Sequence, residues 1–496
     1  MKKKLMDRIH EMKKVIRKMG GEAEIRRQHE KGKLTARERV DLLLDSGSFI
    51  ELKQFMSEKD VENVIIGYGT VDGKPVCIYS QDFTVDRGLL SDFSAKKIAE
   101  VIDFAMKTGI PLVGFIEGEG LGGSIESLEG YGKIMYKSSM ASGVIPQITG
   151  IFGECRLMFP FVGDFVIMTE QGLMYNVSPT IIQAVTGKEV IKEEIGGWKT
   201  SMNSGNCHIV TGNDEEAIEA VRQLLSYLPL NNLEDVPVVS NEDDPSRTTP
   251  EIYDIIPDDP FKIYDMHKLI MTIFDNGEFF EIQSGFAQNA ITGFARIDER
   301  SAGIVANNPK VNVGCLDINS CNKISRFVRF CDAFNIPIIT FVDTGGFFPS
   351  VEQEQQGILR HCAKLFYSYS EATVPLITVI VRKAYGSSYA ALGSKFVGAD
   401  IVYAYPSAEI ALIDPETYVE LEYGEEISKA ENPAERRRKL VEEIREKMSP
   451  LDAASKGHID DVIDPRFTRS KIIGALRIME TKREKLPPKK HGNPPV

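Results

Sequence analysis

The stretch Val381–Tyr389 (VRKAYGSSY) sets Gly386, Ser387 and Ser388 where an apolar, β-branched run (TVPLITVIV) gives way to a helical pattern through Leu392 and Phe396. The first N–H groups of a helix have no partner inside it. A glycine-led bend from strand to helix can therefore aim two of them at one anionic oxygen. The competing role is a plain helix start, for which serine is a good cap. Two more glycine-bearing loops follow apolar strands: Asp343–Ser350 (DTGGFFPS), with Gly345, Gly346 and Phe347, and Glu117–Ser124 (EGEGLGGS), with Gly118, Gly120, Gly122 and Gly123. Such loops either let a ligand approach the backbone or simply need positive φ. Taken literally, Gly118, Gly120 and Gly123 spell a dinucleotide fingerprint. The helix after them comes late, however, and no acidic residue ends the next strand, so a substrate loop fits better.

Side chains offer less chemistry than the backbone. The chain has no Ser-His-Asp order, no His-Glu-x-x-His and no Gly-Lys-Ser loop. His361, in the apolar helical context ILRHCAKL, reads as a packed core histidine rather than a catalyst. Cys77, Cys155, Cys207, Cys315, Cys321, Cys331 and Cys362 form an odd set without a Cys-x-x-Cys pair, so no metal site and no disulfide framework is expected. A reducing, cytoplasmic compartment fits that set.

The elements that position these turns recur. FAMKTGIPLVGFIE (Phe104–Glu117) and FCDAFNIPIITFVD (Phe330–Asp343) match at an offset of 226 residues, each a helix end, an Ile-Pro turn and a buried strand ending in a carboxylate. ASGVIPQI and EATVPLI repeat the pattern at Pro146 and Pro375. Upstream, Val76–Val85 and Ile304–Asp317 read as strands, with helices expected from about Ser94 and Ser325. Strand and helix alternate in both halves, which predicts largely parallel sheets covered by helices. The expected domains are 1–235 and 261–496, joined by a polar, proline-broken linker over 236–260.

A net charge of -13 argues against a nucleic-acid partner. The first twenty residues are the exception: Lys2, Lys3, Lys4, Arg8, Lys13, Lys14, Arg17 and Lys18 flank Leu5, Ile9, Met12 and Ile16 at helical spacing. That basic amphipathic helix suits packing on a partner subunit better than a membrane surface. It is not a signal peptide, and no apolar run is long enough to span a bilayer.

Ordered blocks along the chain resemble the carboxyltransferase subunits of biotin-dependent enzymes, the propionyl-CoA carboxylase β chain and methylmalonyl-CoA decarboxylase α chain family. They include GKLTARERVDLLLD (Gly32–Asp45), GYGTVDGKPVCIYSQDFTV (Gly67–Val85), AVTGKEV (Ala184–Val190), GCLDIN (Gly314–Asn319), RKAYG (Arg382–Gly386), PSAEIAL (Pro406–Leu412) and PPKKHGN (Pro487–Asn493). The resemblance implies an α/β fold of two crotonase-like domains in tandem, with mostly parallel sheets flanked by helices. It implies a homo- or hetero-hexamer, sites between the first half of one subunit and the second half of its neighbour, and a carboxyl group moved between biotin and an acyl-CoA. The biotin would be borne by a carrier protein, with biotin carboxylase or membrane decarboxylase subunits as partners.

By that resemblance the amides of Ser387 and Ser388, after Gly386, would hold the biotin ureido oxygen. Gly345, Gly346, Phe347, Tyr389, Ala408 and Glu409 would line the biotin side, and Gly118, Gly120, Gly122, Gly123, Gly153 and Ala390 the acyl-CoA side. Four departures stand out. Gly386-Ser387-Ser388-Tyr389 replaces the family's Gly-Gly-Ala-Tyr; Asp414, Thr417 and Tyr418 replace small residues; and EGEGLGGS lacks the family's arginine. Pro146 to Asp164 is 18 residues where Pro375 to Asp400 is 25. The missing seven fall on the first half's donor turn, where Gly153-Glu154-Cys155-Arg156 offers no glycine pair. Ala105-Met106-Lys107 matches a biotin-attachment tripeptide, but it ends a helix rather than a β-hairpin. The rival reading is a non-catalytic scaffold paralogue, or a transferase with a non-standard acceptor.

Overall fold

The computed structural model describes residues 2–57, 61–257, 259 and 262–495. The chain divides into two compact units, Met1–Glu234 and Asp235–Val496. In unit 1 the strands are β1 (Ile50–Leu52), β2 (Val64–Val71), β3 (Lys74–Gln81), β4 (Leu112–Gly118), β5 (Gln147–Cys155), β6 (Phe165–Thr169), β7 (Leu173–Met174) and β8 (Ile209–Thr211). Their order is β1-β2-β3-β4-β5-β6-β8, with β7 added beside β5. The first three are antiparallel and the rest parallel.

Unit 2 repeats this strand for strand: β9 (Phe280–Ile282), β10 (Ala290–Ile297), β11 (Arg300–Asn307), β12 (Ile338–Thr344), β13 (Leu376–Tyr385), β14 (Ile401–Ala404), β15 (Glu409–Ala411) and β16 (Asp461–Val462). The order is β9-β10-β11-β12-β13-β14-β16, with β15 beside β13. Both units close their hairpins with two residues at positive φ, Asp72-Gly73 and Asp298-Glu299, the geometry that matches strand twist.

The covering helices correspond as well. Asp92–Thr108 buries Ile98, Val101, Ile102 and Ala105; Ile318–Ala333 buries Ile324, Phe327, Val328 and Cys331, the same four positions 226 residues on. The i, i+3, i+4, i+7 spacing places each set on one face, and each large side chain so buried stabilises its unit by about 1.5–3 kcal/mol. The first helix starts near the expected Ser94, capped by Ser91. The second starts seven residues before Ser325, because the Asp317 carboxylate caps Ser320 N at 2.8 Å.

The polar segment 236–260 lies in unit 2. Ile252 and Ile256 enter its core, and Arg247 binds the carbonyls of Thr272 and Phe274. Asp258 and Pro260 lie outside the described residues. The basic N-terminus forms the helix Lys2–Arg17, with Leu5 and Met12 exposed and Ile16 buried. Among the described residues no helix is long and apolar enough to cross a membrane.

Candidate functional site

In unit 2 the central parallel strand β13 is built from LITVIV, whose β-branched side chains suit a sheet buried on both faces. It runs directly into the short helix Gly386–Ala391. The sharp bend needs Gly386 at φ +63°, and a Cβ there would sit 3.1 Å from the Leu412 carbonyl oxygen. No side chain caps this helix, and the Ser388 hydroxyl donates to the Tyr385 carbonyl at 2.9 Å instead. Helix geometry gives the amides of Ser387 and Ser388 no internal acceptor. Both stand at the start of this helix, at the carboxyl end of the sheet, the usual place for ligands in α/β folds.

The loop after β12 comes beside this bend. Thr344 Oγ1 and Ser388 Oγ are 3.4 Å apart. Gly346 has φ +134° with open space where a Cβ would stand, while Gly345 backs onto Cys315 Sγ. Phe347 bridges Leu316, which donates to the Gly346 carbonyl at 3.0 Å and accepts from Phe348 N at 2.7 Å. Beneath the loop, buried Asp343 accepts from Arg382 Nε at 3.1 Å and from Lys383 N at 3.2 Å. Tyr389 is buried against Phe396, and its hydroxyl has no hydrogen-bond partner among the described residues. Burial pushes its pKa up, so it stays a neutral donor.

Other expected residues are already engaged. Glu409, on β15, accepts from the Tyr385 hydroxyl and is ion-paired with Arg445, whose Nε lies 2.9 Å away. Ala408 is buried and donates its amide to Tyr405 O, while Ala390 is half-buried in the short helix. Asp414 caps the helix Pro415–Lys429 through Thr417 N at 2.9 Å, which explains its departure from the family's small residues. His361 Nδ1 lies 2.9 Å from Asn322 Oδ1. Lys107 ends the helix Asp92–Thr108 and is not presented on a hairpin.

Unit 1 carries the same loop without the same bend. Leu90 N donates to Gly120 O at 2.9 Å and Leu90 O accepts from Gly122 N at 2.9 Å, the counterparts of the Leu316 contacts. Gly120, at φ +109°, corresponds to Gly346. Gly118 is fully packed, since a Cβ there would lie 2.2 Å from the Gly88 carbonyl, whereas Gly123 has free space around it. Gly122 lies against Ser127.

β5 pairs with β7 through Glu154 and Cys155 as β13 pairs with β15 through Lys383 and Ala384. Beyond that point unit 2 makes its helix; unit 1 passes through Arg156–Met158 into a 3₁₀ turn, Phe159–Phe161, and on to β6. The flanks are identical in design: Asp164 accepts from Gln147 N at 2.9 Å, as Asp400 does from Leu376 N at 2.8 Å. The seven missing residues are thus the donor helix itself.

Gly153 lies within β5, not on a turn, and its missing side chain makes room for Glu117, whose Cγ would be 2.6 Å from a Cβ. Glu117 accepts from Arg39 Nη2 (2.7 Å), Lys33 Nζ (2.9 Å) and Gln28 Nε2 (2.7 Å). Burial opposes its ionisation, but Arg39 and Lys33 outweigh that and hold its pKa below the usual carboxylate range. Arg39 also binds Asp214 at 2.8 Å, where burial wins and the pKa rises.

Arg156 stands where the donor turn would begin. Its Nη1 donates to Glu119 O at 3.3 Å, its Cζ lies 6.0 Å from the Tyr175 ring centroid, and its buried Nε has no hydrogen-bond partner among the described residues. The sequence marked this position only by what it lacks; aligning β5 on β13 would have marked Arg156 itself. Among the described residues no group of His, Cys, Asp and Glu side chains is arranged to hold a metal ion.

The carboxyl transferase domain family matches residues 27–494. The propionyl-CoA carboxylase carboxyltransferase subunit of Haloferax mediterranei is 45% identical over 99% of both chains. The methylmalonyl-CoA decarboxylase subunit alpha of Propionigenium modestum is 44% identical, covering all of this chain and 99% of its own. A transcarboxylase 12S structure, a hexamer with methylmalonyl-CoA and methylmalonic acid bound, superposes with a TM-score of 0.95 at 43% identity, over 99% of this chain and 98% of that one. With matching sheets, matching loops and relatives aligned from end to end, this chain belongs to the carboxyl transferase domain family.

Proposed function

We propose that this protein is a carboxyltransferase subunit that moves a carboxyl group between biotin on a separate carrier and an acyl-CoA of the propionyl/methylmalonyl class. It works in the cytoplasm as a hexamer, with biotin carboxylase or decarboxylase subunits as partners. Relatives of matching length named for propionyl-CoA and methylmalonyl-CoA chemistry support this, as does the 12S hexamer with methylmalonyl-CoA bound.

The observation that carries the reading is the bend at Gly386, where the Ser387 and Ser388 amides have no helix-internal acceptor and no cap. Two such donors suit the ureido oxygen of biotin, where negative charge collects. The Tyr389 hydroxyl, without a partner among the described residues, and the open side of Gly346 fit a polar heterocycle beside them. Biotin, when bound, supplies the carboxyl group and the base for the α-proton. The chain supplies the rest: donors from Ser387 and Ser388, a wall from Gly345, Gly346, Phe347 and Ala390, and an edge at Ala408 held by the Glu409–Tyr385 contact. On the acyl-CoA side, Gly120, Gly122 and Gly123 shape the loop, and Gly118 and Gly153 let the backbone and Glu117 pack beneath it.

Purified protein mixed with carboxybiotin and a panel of acetyl-, propionyl- and butyryl-CoA should yield a carboxylated acyl-CoA. A second reading, a scaffold subunit for an active sister chain, is favoured by the missing helix after β5. It predicts no transfer by this chain alone and transfer once the sister is added.

A further inference from the structure

Unit 1 has lost the backbone donors that its repeat partner keeps, yet the same spot holds a cation. Arg156 follows β5 directly, at the carboxyl end of the central parallel strand and against Gly120, whose positive φ opens the neighbouring loop. It is half-buried, and among the described residues no carboxylate pairs with it. The nearby acids are spent elsewhere: Glu119 on Arg87, and Glu154 on Tyr175 and Lys192. A partly desolvated guanidinium with a carbonyl and a ring for company, and no counter-ion, is a poor structural ion pair and a good anion receptor.

We propose that Arg156 takes the place of the missing amide pair and meets the negative charge that develops on the acyl thioester oxygen in unit 1. When the α C–H bond breaks, the proton goes to the base and the electron pair spreads onto that oxygen. A guanidinium N–H directed at it stabilises the enolate as a pair of peptide amides would. The bend was not merely deleted; a side-chain donor replaced it. This inference rests on the carboxyltransferase reading for its substrate, though not for its test.

The probe is a CoA thioether carrying a nitronate head, a planar anion shaped like the enolate, compared with its neutral methyl-ester counterpart by isothermal titration. The wild-type protein should bind the anion at least about tenfold more tightly than the neutral compound, a span that one charge-assisted contact supplies. Arg156→Met should bring the two affinities within about twofold, at unchanged Tm. Arg156→Lys, which keeps the charge but loses the planar fork, should retain part of the preference. If Arg156→Met does not fold, a preference undiminished in Arg156→Lys overturns the proposal. So does a wild-type protein without preference, or a preference that survives in Arg156→Met. In the transfer assay Arg156→Met should lower kcat by about 10²-fold or more with little change in KM. No transfer by wild type, with the anion preference intact, would sink the carboxyltransferase reading and leave the Arg156 receptor standing.

Discussion

At the scale of single residues, the protein relies on backbone groups and buried charges whose roles depend on a few atoms. Gly386 at φ +63° is one. An alanine there adopts a left-handed conformation that costs roughly 1–2 kcal/mol, and its Cβ would press on the Leu412 carbonyl, 3.1 Å away. Gly386→Ala should lower stability to denaturant by about that amount and carboxyl transfer by 10-fold or more, since the bend that aims the amides must shift. Lys323 is another. Its ammonium donates to the carbonyls of Gln283, Phe286 and Ala290 at 2.7–2.9 Å, and burial pushes its pKa down to about 8. A depressed lysine binds its proton more tightly in the unfolded chain. Stability from this group should therefore be lowest below pH 8 and rise as pH climbs from 8 towards 10.5, by roughly 3 kcal/mol in all. Urea unfolding at pH 7.5 and 9.5 would register that slope, and Lys323→Met should abolish it.

At the scale of elements, the two units solve the same packing problem with different charges. In unit 2, Arg382 on β13 neutralises Asp343 at the end of β12. In unit 1 the equivalent strand position is Gly153, and the cation comes instead from Arg39 on the helix Ala36–Leu43, fully buried between Glu117 and Asp214. Removing one partner of a buried ion pair strands the others, at a cost of about 3–5 kcal/mol. Arg39→Met should lose stability in that range, read by denaturant midpoint. The same contrast explains why Gly153 looked like part of a substrate turn in sequence: its missing side chain serves Glu117.

At the scale of the whole molecule, each unit has a hydrophobic core of its own, one around Ile98, Val101 and Ile102 and one around Ile304, Phe341 and Val379. Chains with separate cores need not unfold in one step. Differential scanning calorimetry should resolve two transitions, with Arg39→Met lowering one and Lys323→Met the other; a single transition moved by both variants would count against thermal independence.

The amino-acid sequence by itself determined the tandem architecture, because helix faces and apolar strands repeat at fixed spacing and burial follows periodicity: Ile98 to Ala105 and Ile324 to Cys331 are the same face written twice. It also located the bend at Gly386 and the gap after β5, since glycine and chain length are local properties. What only the tertiary structure decided was where each polar group spends its bonds. Glu409 turned out to be tied to Tyr385 and Arg445, Gly118 to be closed by Gly88, and Arg156 to stand without a counter-ion among the described residues. The reason is physical: periodicity is set by neighbours along the chain, whereas a charge is satisfied or left open by residues dozens to hundreds of positions away.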